Sequence, residues 1–466
     1  ARSANREAVA YFEKALEALG HLPESRQTLE QAIDVRFDLR PPLLQLGRLQ
    51  EVLSLSHEAE TLAQRLGDER RLAHVYTYLI NYHYLKGEPD LAIEYGERCL
   101  KTAEARHDPA LQALARRYMG HCYHAQGRYR EAEHLLRQNV AVPEGGVAYV
   151  AASGWLALTL AELGEFDFAQ DFLDQERRIA DAGGEAYSQT IAWTLEGLVC
   201  VRRGHLDRAL PLLERALQAA REKSLIVWQP IPSCVLGLSL CLLGRASEGL
   251  RLLEEGIALS EDLGVKAYLA LWTAQLGEGL LAAGLTERAW EAAHRALELA
   301  LAHKEQGHRA WALRLVGEIA ARRDPPEVEK AETACREALG LAHELGMRPL
   351  LARTHLELGR LYRRVGNRPE AEDHLSAAIT WLHALDMRFW FERAEAELRE
   401  LGGLFVVPES NPGLYDHLNR RFFGDDAVTI LQDRRRGARR QGRVPHQPER
   451  RRRERRRLAA SAPLRP

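Results

Sequence analysis

Long hydrophobic runs are missing from this 466-residue chain. No uncharged apolar stretch approaches the roughly 18 residues that a membrane span requires, and no basic segment followed by an apolar one marks a secretory leader. Position 1 is Ala rather than Met, which reads as a processed or truncated chain. Cysteine is sparse. Cys99, Cys122, Cys200, Cys234, Cys241 and Cys335 are scattered, form no CxxC pair and sit in helical apolar patterns, which points to a reducing, cytoplasmic setting. The phosphate-cradling GxxxxGKS/T and the strand-following GxGxxG are absent, as are HExxH and GxSxG; His57 and His343 each precede Glu but lack the second His of a zinc helix. The chain is therefore expected to be non-catalytic and to hold no cofactor and no metal.

What is present is a globular composition, 46% hydrophobic and 28% charged, with a formal net charge of −2. That average hides a division. Residues 434–466 carry fourteen arginines against two acids, Glu449 and Glu454, a balance of +12 that leaves −14 on residues 1–433.

Glycines recur at the ends of amphipathic runs: Gly47, Gly87, Gly127, Gly164, Gly204, Gly244, Gly284 and Gly366, spaced 40, 40, 37, 40, 40, 40 and 82 residues apart. A fixed period over most of a chain is the mark of a solenoid. A chain leaving one helix and entering the next needs a positive φ, which glycine adopts without steric cost. Seven residues before the turn lie Gly120, Gly197, Gly237, Gly277 and Gly359; Ala recurs five after it, and small residues such as Ala59, Cys99, Ala216 and Gly256 twelve after it. Small residues let antiparallel helices approach, and Tyr123, Leu136, Leu213, Leu253, Tyr362 and Leu375 are placed to fill the groove between them.

These blocks, MGHCYHAQGRYREAEHLLRQNVA (119–141) and LGRLYRRVGNRPEAEDHLSAAI (358–379) among them, resemble tetratricopeptide repeats (TPR) with a period longer than the usual 34 residues. The resemblance implies an all-α, right-handed superhelical solenoid. Residues 1–20 read as an orphan second helix, 21–402 as nine hairpins plus a terminal helix, 403–432 as a small strand-helix-strand unit and 433–466 as a disordered basic tail. RRDPPEVEKAE near Arg323 replaces one turn glycine, Pro41 and Pro42 predict a break or kink, and Pro143, Gly145 and Gly146 predict a loop that offsets the stack. More narrowly, residues 1–19, 303–332, 344–375 and 386–398 resemble the C-terminal repeat region of large bacterial signalling proteins in which a class III nucleotide cyclase and a P-loop ATPase precede the repeats. That resemblance implies a regulatory or scaffolding arm: a protein-binding scaffold, or a sensor for catalytic domains upstream of Ala1.

If the hairpins stack as in TPR proteins, one face of each first helix lines an inner wall. It begins with His74, Thr77, Asn81 and Tyr84, continues through Arg117, His121 and His124, and becomes apolar at Ile191, Leu198, Val201, Ile231, Leu238 and Leu271. It ends charged, with Trp311, Arg314, Glu318, Arg353, Arg360, Arg363 and Arg364. Cationic ends around an apolar centre suit an acidic peptide held by bidentate arginines; the same residues also read as an ordinary solvated or internally paired helix face. His121, Cys122 and His124 lack a second ligand cluster and read as groove or core residues. Trp155, Trp193, Trp228, Trp272, Trp290 and Trp311 read as packing between hairpins.

Beyond Leu401, LFVVP, LYDHLNRRFF and AVTIL read as strand, helix and strand, with Asn411 capping the helix and Pro412 in its first turn. The tail, including Arg434, Arg435, Arg436, Arg439 and Arg440, holds one aliphatic residue larger than alanine, Val444, between Asp433 and Leu458 and cannot build a core. It resembles DRRxGxRR segments of bacterial regulators. Binding nucleic acid, binding an anionic membrane surface, folding back on the acidic body and plain solvation compete as its role.

Overall fold

The protein is described here by a computed structural model covering residues 2–140, 146–424 and 428–433. The expected loop at Pro143 and Gly145 and the arginine-rich tail from Arg434 onward lie outside the described residues. Helix α1 (Arg2–Gly20) packs on the first of a series of helix pairs. These are α2 (Arg26–Gln45) with α3 (Leu49–Leu66), α4 (Glu69–Leu85) with α5 (Pro89–Ala105), α6 (Pro109–Gln126) with α7 (Tyr129–Val140), and α8 (Gly146–Glu162) with α9 (Phe166–Gly183). There follow α10 (Ala186–Arg203) with α11 (Leu206–Glu222), α12 (Pro230–Leu242) with α13 (Ala246–Asp262), and α14 (Leu269–Ala282) with α15 (Thr286–Ala302). The series ends with α16 (Gln306–Arg322) and α17 (Val328–Leu345), α18 (Arg348–Arg364) and α19 (Arg368–Ala384), and the unpaired α20 (Arg388–Leu401). The chain is an all-α solenoid.

The eight turn glycines all have φ between 70° and 87°. The small residues inside the pairs are there for clearance. A Cβ on Gly120, Gly197 or Gly359 would stand 2.7 Å from Leu136, Leu213 or Leu375, and one on Gly237 only 2.6 Å from the Gly249 carbonyl. At Pro41 and Pro42 the expected break does not occur: α2 runs through both to Gln45, begun by a capping box between Ser25 and Thr28. The prolines fall in its last two turns, so only the carbonyls of Phe37 and Asp38 lose helical donors, and burial of Pro42 and Leu43 holds the segment in place.

At the end of the solenoid, β1 (Gly403–Pro408) pairs in parallel with β2 (Val428–Asp433), Gly403 opposite Val428. Between them α21 (Pro412–Arg421) makes the crossover a parallel pair needs. The Asn411 side chain accepts from the Leu414 amide at 3.2 Å, and Leu414 and Leu418 bury against Phe405 and Val407.

The coil winds until it touches itself. The Lys266 amide donates to the Leu85 carbonyl at 2.7 Å, Lys86 reaches the Gly264 carbonyl, Arg348 the Leu163 carbonyl, and His205 the Asp386 carbonyl. Three of these side-chain bonds join residues 178, 185 and 181 apart, four to five repeats. Lys304 pairs with Asp90, and Arg203 with Asp386 at 2.9 Å. The hairpin turns at Gly87, Gly127, Gly164 and Gly204 thus meet the segments that begin helices in the second half, and the concave faces look towards the inside of the coil.

Candidate ligand-binding cavity

The inner faces of α2, α4, α6, α8, α10, α12 and α14 surround a cavity of about 590 Å3, completed by the connections before α12 and α14. A volume of this size holds a drug-sized molecule or a few peptide residues. Its wall is aromatic: Tyr84, Tyr118, His121, Trp155, Tyr187, Trp228, Tyr268 and Trp272 all line it. The rings brace one another, with His121 4.5 Å from Trp155, Trp155 5.4 Å from Tyr268, and Trp228 Nε1 donating to the Tyr187 hydroxyl at 2.8 Å. Tyr268 has φ 65°, a left-handed backbone that a bulky residue adopts only under constraint. That constraint is the seam, where Lys266 and Ala267 both donate to Leu85 and the Tyr268 amide donates to Glu305.

Of the residues singled out in the sequence, Asn81, Tyr84, Arg117 and His121 line this cavity. His74 stands behind it, 4.8 Å from Phe37. His124 is buried with its Nδ1 2.9 Å from Thr159 Oγ1. Burial pushes both His121 and His124 far below the usual imidazole value, assisted by Arg117 at the first and by His308 and Arg202 at the second, so both are neutral at pH 7. Of the apolar stretch of the wall, Ile191 and Ile231 also line this cavity, while Leu198, Val201, Leu238 and Leu271 line a smaller void further along the axis.

Further along the axis the coil closes around a void of about 30 Å3, the size of one water. Here Arg314 is 3.2 Å from Glu278, 2.6 Å from Glu318 and 3.9 Å from Glu357. Burial alone would lower the Arg314 guanidinium, and the three carboxylates more than reverse it. Arg353 pairs with Glu278 and lies 3.5 Å over the Trp390 ring; burial and then Arg314 push it down to about 10, which leaves it charged at neutral pH. Trp311 Nε1 donates to Glu162, which also pairs with Arg202 at 2.6 Å. At the C-terminal end Arg360 and Arg363 share Glu397, at 2.8 and 2.9 Å, and Arg364 donates to the Ala321 carbonyl. The structure thus separates the arginines read from sequence into two groups. Those from Arg314 to Arg364 are engaged inside the chain, and Arg117 faces the cavity.

Sequence reasoning passed over Arg40, which lines the cavity beside Asn81. The signal was available: Arg40 lies seven residues before Gly47, the position that other repeats give to glycine. Tyr118, Tyr187 and Tyr268 were also missed, because the wall includes positions off the repeating offsets and the connections between pairs. Among the described residues no three His, Cys, Asp or Glu side chains gather as a metal site, and no helix is long and apolar enough to cross a membrane.

No protein-family model and no curated protein sequence matches the chain. Among solved structures it is similar to a Rap protein in complex with competence and sporulation factor, with a TM-score of 0.56 at 13% identity over 77% of this chain and 99% of that one. The chain has a TPR-like solenoid fold. A weaker likeness, TM-score 0.43 at 16% identity over 79% of this chain and 54% of the other, is to a signal-transduction ATPase with a tetratricopeptide-repeat sensor from Pyrococcus horikoshii. A plasmid Rap conjugation regulator in complex with the Phr* peptide aligns with a TM-score of 0.48 at 13% identity over 73% of this chain and 96% of the other. At such identities the likeness is one of fold.

Proposed function

We propose that this TPR-like chain is a non-catalytic regulatory module that binds a short peptide segment inside its coil. Occupancy would set how tightly the coil is wound, and that state would be read by a partner protein or by a signalling ATPase or cyclase domain joined to the chain. The observation that carries the proposal is the cavity, a volume of about 590 Å3 walled by eight aromatic rings and closed by repeats far apart in sequence. An open scaffold needs no such space, since packed interiors leave few voids larger than a water. A Rap protein of similar fold is bound to competence and sporulation factor, which supports a ligand-binding role for such a coil.

Titrating a randomised hexapeptide library against the chain tests the proposal, because Trp155, Trp228 and Trp272 report from the wall. A subset should change tryptophan fluorescence saturably, and Ala151→Phe, which places a ring in the cavity, should abolish the change. If no peptide binds, or if Ala151→Phe binds as the parent does, the proposal fails.

A further inference from the structure

The cavity carries two positive charges that the protein does not neutralise. Arg40 projects from α2 and Arg117 from α6, and both line it. Arg40 Nη2 donates to Asn81 Oδ1 at 2.7 Å, and its guanidinium stacks 4.3 Å from the Tyr78 ring centre; that of Arg117 stacks 4.4 Å from Tyr118. Both cations also act on the Tyr118 phenol. Burial alone would raise the Tyr118 phenol, yet the two cations outweigh burial and hold it below its ordinary value.

Neither arginine has a carboxylate within ion-pair distance among the described residues. In this they differ from Arg314, Arg353 and Arg360 further along the axis. The Nε atoms of Arg40 and Arg117 and the Nε2 of His121 are buried without a protein partner. The one acid that lines the cavity, Glu185, sits at the start of α10 and accepts from the Ser188 hydroxyl at 3.0 Å. Arg40 and Arg117 are half-buried, so each keeps its charge at the cavity wall with a face still open to a ligand, and a planar guanidinium fits the two oxygens of a carboxylate. Aromatic walls around the same point accept a flat apolar body.

We infer that the cavity takes an organic anion, a carboxylate seated between Arg40 and Arg117 with its apolar or aromatic body against Trp155 and Trp228. This rests on the cavity being a ligand site, as proposed above, and adds the chemistry of the ligand. The carboxylate can belong to a free small acid or to the C-terminus of a peptide.

The test uses two fluorescent probes with the same ring system, 1-anilinonaphthalene-8-sulfonate, which is anionic, and N-phenyl-1-naphthylamine, which is neutral. The full chain should bind both. Replacing both cations, Arg40→Met with Arg117→Met, should weaken the sulfonate by about tenfold or more, as loss of charged hydrogen bonds does, and leave the neutral probe within about twofold. Circular dichroism checks that the variant folds, and the single variants Arg40→Lys and Arg117→Lys, which keep the charge, should retain most of the sulfonate binding. Equal weakening of both probes, an unchanged sulfonate affinity, or no sulfonate binding to the parent chain overturns the anion site. Ala151→Phe judges the cavity separately: if it leaves both probes bound, the underlying ligand-site reading fails.

Competition then assigns the source. Displacement of the sulfonate by 3-phenylpropionate but not by its amide supports a free acid. Displacement by a hexapeptide ending in Phe with a free carboxylate, but not by the amidated peptide, supports a peptide C-terminus. Displacement by acids and amides alike overturns the inference.

Discussion

At the scale of the residue, the most telling position is one that breaks the repeat. Glu176 stands twelve residues after Gly164, where the other glycine-marked pairs carry Ala, Cys or Gly, Asn139 excepted. It fits because the small residue has moved to the facing helix, where a Cβ on Gly154 would meet Glu176 Oε1 at 2.7 Å. Both carboxyl oxygens are buried without a partner, and burial, with Glu196 nearby, holds the group far above the usual carboxylate range. Arg177 and Arg208 are directed to Glu196 instead, at 3.0 and 3.7 Å. The folded chain therefore holds this proton more tightly than the unfolded chain does. Stability from this group is intact below the ordinary carboxylate value and falls as pH rises towards the folded value, by about 1.4 kcal/mol per pH unit within that window. Glu176→Gln cannot titrate, so its urea midpoint relative to the parent should improve as pH rises above the ordinary carboxylate value towards the folded one. A difference that does not change with pH would show that the carboxyl is not held protonated. Sequence alone could flag Glu176 as an exception but could not supply Gly154, because the compensating residue lies at a different offset.

At the scale of the element, the pairing of helices was legible and their outer joints were not. The 40-residue glycine series marks one end of each pair because a left-handed residue is needed there. The other end needs one as well, but Gly67, Gly184, Gly264 and Gly346 share that duty with His107, Ser224, Lys304 and Asp386, all at positive φ. A single non-glycine residue there costs only about 1–2 kcal/mol, so the series carries no residue signature. The turns themselves differ in what surrounds them. Gly127 and Gly284 have nearly the same backbone, φ 81° and 78°, but a Cβ on Gly127 would lie 2.9 Å from the Gly307 amide nitrogen, whereas one on Gly284 would meet nothing within 4 Å. Gly284→Ala should lose about 1 kcal/mol from the left-handed backbone alone. Gly127→Ala should lose roughly 1–3 kcal/mol more from crowding at the seam. Denaturant titration of the two variants measures the difference, and equal losses would mean that the seam does not form in solution.

At the scale of the whole molecule, closure is what the sequence concealed. It arises from the sum of small rotations between successive pairs, so no residue or motif announces it, and the inner wall read from offsets became an interior. An open solenoid is quasi-one-dimensional, each repeat touching only its neighbours and able to unfold by itself. Here Lys86, Asp90 and Gly127 tie the early pairs to residues 264–307. The eight tryptophans all lie between Trp155 and Trp390, so fluorescence sees only the later pairs while far-ultraviolet circular dichroism sees every helix. In urea the two signals should trace one transition. Combining Lys86→Ala, Asp90→Ala and Gly127→Ala should split them, with ellipticity lost first; coincident curves in this variant would show that the seam does not couple the halves. The seam also has a cost in time. Contacts between residues about 180 positions apart raise the contact order and slow folding. On the ribosome, at about 5–20 residues per second, the first pairs emerge roughly 10–40 s before the segments that cover them. For that interval the aromatic wall from Tyr84 to Trp155 faces solvent as a half-built ring, a period in which a chaperone or an early-bound ligand can act on a surface that the finished coil hides.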